Sequence, residues 1–211
     1  MPDEPADRGT GAETAGADYA ERLQRLQGAR WKQLLDVQRP YRWNLQRLEL
    51  GRVLDVGCGI GRMLRAFGPD SVGVDHNADA IALARQQGYT AYTTQEFLSD
   101  PSLAVPESFD SILMAHLLEH LDAGMAEQIV RDYLPLVRPG GRLVAITPQE
   151  VGYRSDATHV RFVGFEEVRQ ITDRLGLTVE KTYSFPFPRP VGKAFIYNEF
   201  VTVARVGHGG R

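Results

Sequence analysis

The chain has 211 residues, 43% of them hydrophobic and 24% charged, with a formal net charge of −3; that is enough apolar material for one well-buried core and favours a single domain. No window holds the ~18 consecutive apolar residues of a membrane span, and the charge balance gives no electrostatic footprint for duplex nucleic acid. The single cysteine, Cys58, excludes a disulfide within the chain and a cysteine-based zinc site, and the start lacks the basic and apolar regions of a signal peptide, so a cytoplasmic protein is expected.

Residues 1–17 are rich in Gly, Ala, Pro and acidic side chains and predict a disordered tail, because they cannot bury enough surface to offset ordering. From 18 to 38, Tyr19, Leu23, Leu26, Leu34 and Val37 recur at near-helical intervals with a break near Gly28, which predicts an amphipathic helical segment running to about residue 50. Apolar runs at 52–56, 71–74, 90–93, 111–114 and 142–147 then alternate with helix-like stretches at 60–67, 78–87 and 125–137. Alternating strands and helices mean β-α-β units and a mostly parallel sheet covered on both faces. Near the end a helix at 165–175 stops at Gly176, and strands at 178–184 and 197–206 follow with no helix between them; such a pair implies an antiparallel edge. One domain over 51–206 and a flexible C-terminus over 207–211 complete the reading.

Between the first strand and the first helix lies VLDVGCGIGRML. Glycines there let the backbone approach a ligand closely. No Lys-Ser or Lys-Thr follows, so the phosphate loop G-x-x-x-x-G-K-[ST] fails, and Gly57, Gly59 and Gly61 do not give the G-x-G-x-x-G of dinucleotide sites. The pattern D-x-G-x-G-x-G, Asp55 to Gly61, resembles motif I of the class I S-adenosyl-L-methionine-dependent methyltransferases. That cofactor has no pyrophosphate for Asp55 to repel. "FDSILMAHLLEHL" looks like the family's motif IV, and "LVRPGGRLVAITP" like its turn into the fifth strand.

The resemblance, over about 51–206, implies a Rossmann-like α/β fold: a mostly parallel seven-stranded sheet with one antiparallel strand, helices on both faces and a helical N-terminal lid. It also implies S-adenosyl-L-methionine as cofactor, held by Asp55, Gly57, Cys58, Gly59 and Gly61. Asp75, 20 positions after Asp55, ends the second strand where an acidic residue takes the ribose hydroxyls, with His76 beside it. Glu96 and Phe97 fall where the family holds the adenine, Ala115 ends the fourth strand, and Arg42 of the lid is expected toward the methionine carboxylate.

His116, Glu119 and His120 of "HLLEH" stand at i, i+3 and i+4, one face of a helix if the segment is helical. H-x-x-E-H also occurs in zinc peptidases, but here it sits at the end of the fourth strand, facing the cofactor. It is similar to the E-x-x-E-H of small-RNA 2′-O-methyltransferases and of the polyhydroxybenzoate O-methyltransferases of ubiquinone synthesis, where the motif joins a later residue to bind a divalent metal. That resemblance implies a metal held by His116, Glu119, His120 and His159, with Glu119, His120 and His159 catalytic. Three imidazoles and one carboxylate suit Zn²⁺, Fe²⁺ or Mn²⁺ better than Mg²⁺; the alternative is a metal-free His159 acting as general base.

Tyr153, Arg154 and Arg161 on one loop, and Arg189 and Lys193 on another, are the candidate acceptor contacts, since open α/β sheets bind ligands at the carboxyl ends of their strands. The expected activity is methyl transfer to a hydroxyl of a small polyhydroxylated acceptor, a sugar or oligosaccharide, a weaker resemblance to bacterial sugar O-methyltransferases pointing the same way. A phenol or catechol acceptor and an RNA acceptor are the alternatives. Monomer and homodimer both fit the sequence.

Overall fold

Seven apolar runs become one sheet: β1 (Val53–Val56), β2 (Val72–Asp75), β3 (Ala91–Thr93), β4 (Phe109–Ala115), β5 (Val137–Pro148), β6 (Thr178–Phe185) and β7 (Glu199–Arg205). The computed structural model describes residues 39–207, so the tail expected over 1–17, the lid segment 18–38 and the last four residues lie outside the described residues. Strand order is β3-β2-β1-β4-β5-β7-β6, parallel through β5, with β7 antiparallel to both β5 and β6. The single antiparallel strand is thus as expected.

Side-chain alternation along the strands splits the core into two layers. Leu54, Val56, Ile112 and Met114 face one side with Phe97, Val130 and Ile171, while Val53, Leu113, Ala115 and Val144 face the other with Leu45, Val201 and Phe185. Every residue of β1 and β2 is buried, as parallel strands covered on both faces require.

The helices are α1 (Arg39–Gln46), α2 (Ala78–Gln86), α3 (Thr94–Ser99), α4 (Ala123–Tyr133), α5 (Glu150–Arg154) and α6 (Phe165–Arg174). Their starts are fixed by short polar side chains that accept otherwise orphaned N–H groups. Asn77 accepts from Ala80, Asp122 from Met125, and Thr93 forms a reciprocal capping box with Glu96.

The helix expected over 60–67 does not form. Gly57, Gly59 and Gly61 have φ of 80°, 53° and 83°, left-handed values through which a right-handed helix cannot continue. Turns therefore lead to a single 3-10 turn at Leu64–Ala66. Helices α3 and α5, six and five residues long, are too short to leave a periodic signal. Among the described residues no helix is long and apolar enough to cross a membrane.

Candidate active site

The glycine loop hangs from β2. The N–H groups of Gly57 and Cys58 donate to the carbonyl of Val74 at 2.8 and 3.1 Å, and that of Gly59 donates to Asp75 Oδ2 at 2.8 Å. Asp75 Oδ1 accepts from Asn77 N–H at 2.9 Å, so this carboxylate ties the loop to the start of α2. Each of its oxygens keeps a further lone pair for a ligand hydroxyl. His76 stays mostly exposed, its Nδ1 3.3 Å from Asp75 Oδ1.

Asp55, Gly57, Cys58, Gly59, Ile60, Arg62, Met63, Ala115 and His116 enclose a cavity of about 110 Å³. Asp55 is fully buried there, and its Oδ2 has no hydrogen-bond partner. Burial, reinforced by the neighbouring Asp75 charge, pushes its carboxyl up to about 7. An orphaned buried acceptor is costly unless a ligand donor meets it; the ammonium of a methionine moiety is such a donor, so the residues fit the implied cofactor. Cys58 packs against Gly73, where an added Cβ would lie 2.7 Å from its sulfur, and burial pushes its thiol up, which makes it inert. Arg62 and Met63, missed from the sequence, come from the turn that replaces the expected helix.

Three cofactor expectations need correction or lie apart from the cavity. Phe97 is 1% exposed and packs among Tyr92, Phe109 and Tyr133, so it is core and not an adenine wall. The Glu96 carboxylate accepts from the Thr93 N–H at 2.7 Å and from Arg85 at 2.8 Å, both at Oε2; these bonds cap α3 and hold its carboxyl below the usual range, and Glu96 does not line the cavity. Arg42, half-buried on α1, does not line the cavity. A larger cleft of about 380 Å³, lined by Asp110, Arg138, Arg142 and Arg205, lies at the opposite rim, by the amino ends of β1 and β4, and contains none of the candidate residues.

Beside the cofactor cavity the chain turns sharply. His116 follows β4 with φ of 56°, and a 3-10 turn then spans Leu118–His120, so the motif does not present one helical face. The carbonyl of Glu119 accepts N–H groups from Val160 and Arg161 at 2.9 and 3.2 Å. This clamp brings the 156–161 segment across the site and sets His159 against Glu119 and His120.

Glu119, His120 and His159 each offer a ligand atom, all within 4.8 Å of one another. Both imidazoles are oriented for ligation. His159 Nδ1 donates to the Tyr153 carbonyl at 2.7 Å and His120 Nδ1 to the Thr158 carbonyl at 3.2 Å; a carbonyl only accepts, so in each neutral ring the lone pair is on Nε2. Burial pushes His120 down, toward that neutral form. Glu119 is 0% exposed and neither of its oxygens makes a hydrogen bond; its Oε1 lies 3.3 Å from His116 Nδ1, so a protonated His116 is one counter-charge within reach and a metal would be another.

His116 is not in this cluster, against the expectation of a fourth ligand. Its Nε2 lies 2.9 Å from Glu199 Oε1 and its Nδ1 3.3 Å from Glu119 Oε1, so both ring nitrogens face carboxylates. Of the acceptor candidates, Tyr153 stacks on His159 with centroids 5.5 Å apart, and Arg161 follows the cluster with its Nε and one terminal nitrogen buried and unpartnered. Arg154 and Lys193 are exposed. Arg189 is already engaged, bound through two nitrogens to Glu150 and lying 4.7 Å over the Phe200 ring, so it walls the rim and is not available as a free anion contact.

The family model described as "Methyltransferase domain" matches residues 18–182. A ubiquinone biosynthesis O-methyltransferase from Pectobacterium carotovorum is 28% identical over 130 residues, 58% of this chain and 52% of that protein, so the match spans about half the relative's length. Among solved structures, a SAM-dependent methyltransferase from Archaeoglobus fulgidus superposes with a TM-score of 0.60 at 20% identity, over 82% of this chain and 98% of that one. Magnesium protoporphyrin IX methyltransferase from Synechocystis with bound SAH gives 0.64 at 16% identity, over 92% and 97%. With the loop, the sheet order and the matched model in agreement, the chain belongs to the methyltransferase domain family, with the fold of the SAM-dependent methyltransferases it superposes on.

Proposed function

We propose that this methyltransferase acts on a hydroxyl of a small acceptor bearing neighbouring hydroxyls, a sugar or oligosaccharide foremost, with the help of a divalent metal. The observation that carries the reading is the cluster of Glu119, His120 and His159 within 4.8 Å, next to the cavity that holds Asp55 and Ala115. Two imidazoles and one carboxylate would hold Mn²⁺, Fe²⁺ or Zn²⁺ in preference to Mg²⁺. When bound, S-adenosyl-L-methionine supplies an electrophilic methyl group, and the metal supplies a Lewis acid that lowers the pKa of a hydroxyl held on it.

The chain's own residues do the rest. Asp55 meets the cofactor's ammonium and Asp75 its ribose, which fixes where the methyl group points. His120 and His159, each tied through Nδ1 to a backbone carbonyl, turn Nε2 to the site, and the buried Glu119 carboxylate faces them. Tyr153, stacked on His159, offers a face on which a pyranose ring or a catechol can lie.

A catechol is the second reading. It is favoured by the similarity to ubiquinone biosynthesis O-methyltransferases and by the Phe187, Phe195 and Tyr197 rings, linked edge to face at 5.4 and 5.7 Å. Methyl transfer to a panel of sugars and catechols, each paired with its mono-hydroxy analogue, separates the two. Transfer only to mono-hydroxy compounds would refute both.

A further inference from the structure

The sequence resemblance placed His116 among the metal ligands, and the structure gives it other partners. Its ring is held between Glu119, which belongs to the cluster, and Glu199, the first residue of β7. Glu199 is itself rigidly placed. It pairs with Pro148 at the end of β5, and its carbonyl accepts from the fully buried Gln149 side chain at 2.9 Å. His116 is fixed as well, its N–H donating to the Ile146 carbonyl at 2.9 Å. Two strand ends thus hold an imidazole against a carboxylate that has no hydrogen bond of its own.

We propose that Glu199, acting through His116, is the positioning residue for Glu119: the pair fixes the rotamer and orientation of the carboxylate that faces His120 and His159. The first position of the H-x-x-E-H motif then supports the site from outside, and the protein contributes three ligands, leaving the remaining coordination positions for the acceptor hydroxyls and water. The geometry explains why a histidine serves where the related motif has a glutamate. A second carboxylate beside Glu119 would repel it, whereas an imidazole hydrogen-bonded to Glu199 at 2.9 Å and lying 3.3 Å from Glu119 Oε1 does not.

This inference rests on the metal reading above, and one experiment separates their failures. Co²⁺ is titrated by calorimetry and visible absorption into the full chain and into Glu199→Gln, Glu199→Leu, His116→Ala and the His116→Ala/Glu199→Leu double variant. S-adenosylhomocysteine affinity and melting temperature are measured for the wild type and both Glu199 variants. The expected result is that Glu199→Leu weakens Co²⁺ binding roughly 10- to 100-fold, that Glu199→Gln restores part of the loss because its amide oxygen still accepts from His116, and that the double variant is no weaker than His116→Ala alone. S-adenosylhomocysteine affinity is expected to be unchanged in both Glu199 variants, which shows that they are folded. Wild-type Co²⁺ affinity retained in both Glu199 variants overturns the positioning role and leaves the metal reading standing. Additive losses in the double variant also overturn it, since Glu199 would then act without His116. No Co²⁺ binding by the wild type, with S-adenosylhomocysteine bound normally, overturns the metal reading and the inference with it.

Discussion

Asp55 ties the cofactor to a measurable pH dependence. Its buried carboxyl, pushed up to about 7 by desolvation and by Asp75, must be ionised to meet an ammonium at the orphaned Oδ2. Affinity for S-adenosylhomocysteine should therefore fall below its high-pH plateau by a factor of about 1 + 10^(7−pH), roughly 2-fold at pH 7 and roughly 11-fold at pH 6. Binding at pH 6 should release close to one proton, counted by calorimetry in two buffers of different ionisation heat. Asp55→Asn keeps the volume and removes the charge. It should lose about 1.5–3 kcal/mol of binding at pH 8, roughly 12- to 150-fold, and abolish the pH dependence. The sign for stability is opposite. A folded-state value raised above the ordinary carboxyl value of 3.8 means that the group's contribution is fully present below about pH 4 and lost as pH rises through about 7. Asp55→Asn should accordingly stabilise the ligand-free protein at pH 8 by up to about 4 kcal/mol, seen as a higher melting temperature. A wild-type affinity that is flat between pH 5.5 and 8.5, or an Asn variant that keeps the slope, would refute the reasoning.

Phe97→Ala removes a core ring and should cost about 3–5 kcal/mol, seen as a fall of roughly 6–20 °C in melting temperature, with S-adenosylhomocysteine affinity kept within about twofold below the transition. A loss of affinity without a loss of stability would return Phe97 to the adenine site. At Gly57, where φ is 80° and an added Cβ would lie 3.0 Å from Leu117, substitution by Ala should cost about 1–2 kcal/mol and weaken cofactor binding as well, checked by thermal melts and calorimetry. Glu119→Gln should abolish stoichiometric metal, measured by elemental analysis, while S-adenosylhomocysteine still binds.

The sheet was legible because its signal is redundant: five apolar runs alternated with helical stretches, and the absence of a helix between β6 and β7 marked the antiparallel edge. The three glycines were legible because their left-handed backbone calls for glycine, whereas Asp55 and Asp75 were assigned through the resemblance. The errors arose where a residue has a local alternative that spacing cannot reveal. Glu96 follows Thr93 by three positions, which is a capping box, and that local bond fixes one oxygen of the carboxylate assigned to adenine at the start of α3. Phe97 then falls on the inward face of α3. His116 was read as a helical neighbour of Glu119, yet a left-handed residue at a strand end turns its ring toward Glu199, 83 positions later in the chain. The approach of His159 to Glu119 was anticipated by resemblance alone; its cause, the pair of N–H groups from Val160 and Arg161 on the Glu119 carbonyl, is a tertiary contact without a sequence signature.

The central claim is that a metal held by Glu119, His120 and His159 serves methyl transfer to a hydroxyl beside another hydroxyl. Its most direct measurement is methyl transfer from labelled S-adenosyl-L-methionine to paired diol and mono-hydroxy acceptors, before and after chelation and again after adding back Mn²⁺, Fe²⁺, Zn²⁺ or Mg²⁺. The account predicts transfer to diols alone, lost on chelation and restored best by the transition metals. Undiminished transfer after complete metal removal would contradict it.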